Sequence, residues 1–210
     1  MGDLSVANVL TTTRTFRRKL DLTRPVPREV IMGCLDLAVH APSGSNRQGW
    51  RFVVIDEPDL RAAIAHYYRL GSAANLSGRV PTPEQLADFE SATYLADHLH
   101  EVPALVLACQ SGRPPTSPAK LASFYGSIFP AVWSFMLALR SQGLGTSLTT
   151  AHLAHERAVA DVVGLPFDSV TQVALLPVAY LRAGNVSPGA RIPAERVTSW
   201  NGWTSSEQTQ

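Results

Sequence analysis

The stretch "APSGSNRQGWRFVVI", residues 41–55, decides how this chain is read. Pro42 and Gly44 end any helix that reaches them, and Ser43, Ser45, Asn46 and Gln48 add short hydrogen-bonding side chains. An apolar strand, "WRFVVID" (50–56), follows at once. A connection rich in donors and poor in bulk lets something polar come close to backbone. An ordinary helix-to-strand loop has the same composition, so these residues alone name no ligand.

Upstream, "RPVPREVIMGCLDLAVHA" (24–41) reads as a helix, with Pro27 near its first turn and apolar residues at Val30, Ile31, Cys34, Leu35, Ala38 and Val39. A shorter helix is expected over 3–13, followed by the basic cluster "RTFRRK" (14–19). Downstream, "EPDLRAAIAHYYRL" (57–70) is a helix with Pro58 in its opening turn. Residues 71–102 are harder to place and end in a helical stretch with Leu86, Phe89, Ala92, Tyr94 and Leu95. "PALVLAC" (103–109) is a continuous apolar strand covered on both faces. Residues 117–145 read as a long, mostly buried helix with Gly143 at its C-cap and Pro130 expected to kink or divide it. A short helix near 154–163, a strand over 171–181 and an aromatic tail with Trp200 and Trp203 complete the chain. The tail is expected to pack against something. The order of elements gives a single α+β domain with its strands gathered in one sheet.

Composition narrows the function. With 45% hydrophobic and 17% charged residues the chain is globular. A net charge of +1 provides no field for nucleic acid or an anionic membrane. The start lacks the build of a signal peptide, and the apolar run 128–139 contains Ser134 and is too short to span a bilayer, so no membrane partner and a cytoplasmic location are expected. Cys34 and Cys109 have no CxxC spacing. GxGxxG after a strand, GxxxxGK[ST], HExxH and GxSxG are all absent. His98 with His100, and His152 with His155, lack further ligands at metal spacing, so no metal is expected. No pair of carboxylates is marked as acid and base. This leaves a borrowed cofactor, or no chemistry at all.

Three features remain: Arg14, Thr15 and Arg17 just past a helix, the 41–55 loop, and the late Arg191 in "GARIP". Arginines with a hydroxyl suit a phosphate, whose oxygens guanidinium groups bind in pairs. Arg17, Arg18 and Lys19 also fit a solvated charged face, and Arg191 a tied-down loop. Taken together, "TRTFRRKLDLTRPVPREVI", "APSGSNRQGWRFVVI", "FPAVWSFMLALRSQGLGTSLTT" and "ARIPAERV", in that order, resemble the FMN-dependent nitroreductases over roughly residues 8–203. The sequence departs from many members at Thr13, Lys19 and Gly49, where arginine, an aromatic and proline are usual.

The resemblance implies a nitroreductase-like fold: a central, mainly antiparallel sheet flanked by helices, in an intertwined homodimer with C-terminal arms (190–210) reaching across. Arg14, Thr15, Arg17 and Arg191 would grip the phosphate and ribityl chain of FMN. Pro42, Ser43, Gly44, Ser45 and Asn46 would lie along the flavin, and Leu148, Thr149 and Thr150 would line its ring near N5. Arg17 is the candidate for positive charge near the pyrimidine side. Trp133 and Phe135 would belong to the dimer interface, and residues 71–102 would cover the flavin, with Tyr67, Tyr68, Phe89 and Tyr94 as pocket candidates or core aromatics. The implied reaction passes hydride from NADPH or NADH through flavin N5 to a small acceptor, a nitroaromatic or a quinone, by a ping-pong scheme without a protein acid or base. The alternatives are a flavin-storing protein without turnover and a specialised relative that fragments reduced flavin. The dehalogenating relatives rank lower, because 71–102 is not a long lid rich in charge.

Overall fold

The computed structural model describes residues 5–182 and 186–203. Six helices, α1 (Val6–Thr12), α2 (Arg28–Ala38), α3 (Pro58–Leu76), α4 (Leu86–His98), α5 (Pro118–Ser141) and α6 (Glu156–Val163), surround four strands. The strands β1 (Trp50–Ile55), β2 (Ala104–Ser111), β3 (Leu144–Thr146) and β4 (Val170–Tyr180) form one sheet in the order β1-β2-β4-β3, and every pairing is antiparallel.

Strand period sorts the core into two layers. Ala104, Val106 and Ala108 of β2 face α2 and α5, where Ile31, Cys34, Ala38, Ile128, Phe135 and Leu139 pack. The intervening Leu105, Leu107 and Cys109 face Ile64, Ala65, Tyr68, Leu95 and Leu99 of α3 and its neighbours. The two central strands are thus apolar on both faces, as the uninterrupted run 103–109 predicts. A bulge breaks the alternation once. Ala108 opposes Ala174 while Cys109 opposes Gln172, so Val173 is extra and shares a face with Ala174.

Three helix boundaries differ from the sequence reading. α3 runs on past Leu70 to Leu76 because Gly71 does not stop it. Its backbone lies against the Ala151 carbonyl, which a Cβ at Gly71 would meet at 1.9 Å, so glycine serves close approach here. α5 is not divided at Pro130. Ile128, Ala131, Val132 and Phe135 around it are fully buried, and that packing outweighs one lost backbone bond. α2 is shorter than the stretch 24–41, running from Arg28 to Ala38 with Pro27 as its N-cap. α5 ends at Ser141, short of the 145 read from the sequence, with Gly143 at φ +77° just beyond it as expected of a terminating glycine and Leu144 and Gly145 already in β3. By length and apolarity α5 alone among the described residues is able to cross a bilayer, yet it is the core helix of this fold. Of the predicted elements, residues 3 and 4 of the first helix and residues 204–210 of the arm lie outside the described residues.

Candidate functional site

The basic segment after α1 is pinned to the β3 edge of the sheet. Phe16, itself buried, donates its N–H to the Thr146 carbonyl at 3.0 Å. Leu20 forms a bridge with Leu181, and Arg182 N–H donates to the Lys19 carbonyl. Between these anchors Arg14, Thr15 and Arg17 line a cavity of about 410 Å³ together with Arg191. Asp88 and Ser91 of α4 form another wall, steadied where Arg18 reaches Glu90 at 3.4 Å and lies over the Tyr94 ring. The chain therefore brings its early and late arginines together, 174 residues apart in sequence from Arg17 to Arg191 (191 − 17). Thr13 does not reach this cavity. It closes α1, with its buried hydroxyl donating to the Val9 carbonyl at 2.7 Å.

Residues 148–150 follow from a proline. In β4, Leu175 and Leu181 donate their N–H groups toward the β3 edge, so Pro177, at the same parity, leaves that edge without a donor. Pairing accordingly breaks between Thr146, opposite Val178, and Thr149, opposite Leu175. Ser147 and Leu148 fill the gap, with Leu148 partly exposed. Thr149 exchanges both backbone bonds with Leu175, so its N–H is engaged, and Thr150 opens the 3-10 turn Ala151–His155. The buried hydroxyls of Thr146 and Ser147 have no hydrogen-bond partner among the described residues. Tyr68 lies beside Thr149 and within reach of the Arg17 charge, and burial pushes its phenol pKa up. His152 is fully buried with neither ring nitrogen bonded, and burial drives its pKa down to about 4 despite the nearby Glu156 carboxylate.

The 42–46 loop stands elsewhere on the protomer. Ser45, Asn46 and Gln48 have φ of 53°, 51° and 49°, the left-handed region, which the Ser43 hydroxyl stabilises by accepting the Gln48 N–H at 3.0 Å. Gly44 donates its N–H to Ser127 Oγ of α5 at 2.9 Å, and a Cβ there would meet Ser123 Oγ at 2.6 Å. The loop therefore sits on α5, and Trp50 anchors its far end in the core. Its flank opens on a second, larger cavity of about 820 Å³, reached by Arg47, Arg51, Gln110, Lys120 and Phe124. The two halves of the expected site thus line different cavities of one chain.

Other expectations shift. Phe135 is wholly buried in its own core, whereas Trp133 and Phe129 of the same helix are exposed. Tyr67, Tyr68, Phe89 and Tyr94 line neither cavity, and Tyr68 belongs to the core. Ile192, Val197, Trp200 and Trp203 of the tail are 66–92% exposed in the protomer, so nothing among the described residues covers them. Sequence reasoning missed Ser123 and Ser127, one helical turn apart on α5, and the whole second cavity.

A family model named Nitroreductase matches residues 10–180, and the chain belongs to the nitroreductase family. Its curated relatives include the iodotyrosine deiodinase of Drosophila melanogaster, 28% identical over 165 residues that make up 76% of this chain and 56% of that protein. The iodotyrosine deiodinase of Thermotoga neapolitana is 29% identical over 172 residues, 80% of this chain and 83% of that protein. The chain thus spans little more than half of the fly protein's length. Among solved structures, an oxidized iodotyrosine deiodinase bound to FMN and 3-iodo-L-tyrosine superposes with a TM-score of 0.72 at 23% identity, covering 94% of this chain and 99% of that one. A nitroreductase-like family protein from Bacillus cereus gives 0.70 at 18% identity, over 96% and 99%. Both have the same fold.

Proposed function

We propose that this protein is a cytoplasmic FMN-dependent oxidoreductase that passes electrons from NADPH or NADH to a small organic acceptor. The observation that carries the reading is the cavity in which Arg14, Thr15, Arg17 and Arg191 converge, on a segment whose Phe16 N–H is held by the Thr146 carbonyl. The donor set fits a phosphate monoester: guanidinium forks and a hydroxyl suit its oxygens. Arg14, Thr15 and Arg191 hold the phosphate in this account, and Arg17 places positive charge toward the ring. Leu148 and Thr150 border the ring edge, since the Thr149 N–H is engaged by Leu175. Bound FMN supplies the two-electron chemistry, and the chain supplies orientation and electrostatics.

The ring needs a second wall, and in one chain the 42–46 loop stands apart from the arginines. A homodimer resolves this, with Pro42, Ser43, Gly44, Ser45 and Asn46 of one copy lying along the flavin held by the other. The exposed Phe129 and Trp133 of α5 and the exposed tail tryptophans are the surfaces a second copy covers. Residues 71–102 border the arginine cavity through α4 and complete its cover.

The likeness to iodotyrosine deiodinases over three quarters of the chain favours a second reading, reductive removal of halide from a halogenated phenol at the same site. Anaerobic addition of NADH or NADPH to the flavin-loaded protein tests the first. Rapid bleaching of the flavin is expected, reversed by a nitroaromatic or a quinone. Colour that persists with both nicotinamides, together with halide release from 3-iodo-L-tyrosine after chemical reduction, moves the assignment to the second reading. Persistence without release leaves a flavin-storing protein.

A further inference from the structure

We infer that the larger cavity beside the 42–49 loop is a binding pocket selective for a small aromatic anion, a carboxylate or a phenolate. At about 820 Å³ it has the size of a small-molecule site. Its charge is one-sided. Arg47, Arg51, Arg113 and Lys120 line it, and no carboxylate does. Arg113 is already matched, with both of its terminal nitrogens on Glu156 at 2.8 and 2.9 Å. Arg47, Arg51 and Lys120 have no ion pair among the described residues; Arg47 donates to the Gly44 carbonyl and Arg51 to the Trp50 carbonyl. Three unmatched cations therefore surround one concavity in a chain whose total charge is only +1.

Two further features point into the same space. α5 begins here, at Ser117, with no side chain capping it, and Ala119 and Lys120 of its first turn line the cavity, so the positive end of a 24-residue helix adds to the field. Gln110, 7% exposed, keeps its amide oxygen buried and unbonded at the wall. A buried amide oxygen without a partner is costly, and since it only accepts, an ordered water donating to it and to the anion relieves it. Phe124 supplies a flat apolar wall for a ring. Because Arg47 and Gly49 belong to the loop that carries Pro42–Asn46, an occupant lies against the flavin-facing loop. Its role as the electron acceptor rests on the reading proposed above, whereas its preference for an anion does not.

The test is calorimetric titration of the purified protein with 4-nitrobenzoate and with its neutral analogue 4-nitrobenzamide, with flavin absorbance read in the same samples. The anion is expected to bind about tenfold tighter or better, the scale of one added charge-assisted contact. Arg51→Gln with Lys120→Gln is expected to bring the two affinities together at unchanged melting temperature and flavin content, and Arg51→Lys with Lys120→Arg to restore the gap. Equal affinities in the natural protein, or a preference that survives the glutamine pair, overturn the proposal. Flavin bound without any preference defeats the pocket alone. A preference in protein that holds no flavin supports the pocket and defeats the flavin reading instead.

Discussion

Two basic cavities of one small chain are built in opposite ways. The smaller is made by a short run, Arg14 to Lys19, clamped at Thr146 and Leu181 and completed by Arg191. The larger draws its lining from several elements: Arg47 from the loop, Arg51 from β1, Gln110 from β2, and Lys120 and Phe124 among five residues of α5. The first keeps an acid within it, Asp88, and the second has none. A contiguous basic run suits a fixed feature such as a phosphate, which every bound cofactor presents alike. Dispersed residues on a rigid frame suit the part of a site that varies with the substrate.

Removing charge from each cavity separates their roles. The largest effect is expected from Arg14→Ala with Arg17→Ala, which takes two forks from the phosphate cavity. FMN affinity should fall by about a hundredfold or more, since each charge-assisted contact contributes roughly 1.5–3 kcal/mol, and dialysed protein should be colourless. Flavin retained after dialysis contradicts the assignment. The same substitutions should leave the binding of 4-nitrobenzoate to flavin-free protein unchanged.

A smaller effect is expected at His152, which is fully buried near Glu156. Glu156, the partner of Arg113, is pushed up by burial, but the Arg113 fork and the Gln172 N–H draw its pKa below the ordinary value, and its charge faces His152. Burial holds His152 neutral with a pKa of about 4. A lowered pKa means the unfolded chain takes up a proton that the native state refuses. Stability from this group is therefore complete above the unfolded value near 6.5 and is lost as pH falls toward 4, at up to ~1.4 kcal/mol per pH unit. Urea midpoints at pH 7, 6 and 5 should fall for the natural protein and fall less for His152→Leu. Equal slopes would show that His152 is not held neutral.

What the sequence disclosed follows the same division. The long strands were legible because β2 and β4 are apolar on both faces and period marks them regardless of partners, whereas the three-residue β3 (Leu144–Thr146) was hidden at the end of the stretch 117–145 read as helix. The residues that share the smaller cavity were legible because 14–17 is a local run and Arg191 stands among prolines and small residues. α3 was read too short because Gly71 looks like a stop, and only its contact with Ala151 shows otherwise. Phe135 and Trp133 looked alike in sequence, two residues apart, yet one side of α5 meets the sheet and the other does not. The larger cavity was illegible. The antiparallel register that sets Trp50 opposite Gln110 brings Arg51 and Gln110 to one end of the sheet, and the α5 start reaches the same end from a different part of the chain. No spacing in the sequence records such an assembly.

The most direct measurement is the absorption spectrum of the purified protein, followed by heat release of any chromophore and separation of FMN from FAD. The account predicts FMN at about one per chain, the occupancy of a single phosphate cavity in each protomer. A colourless protein that also refuses added FMN would contradict it, and the converging arginines would then be scaffold without a cofactor.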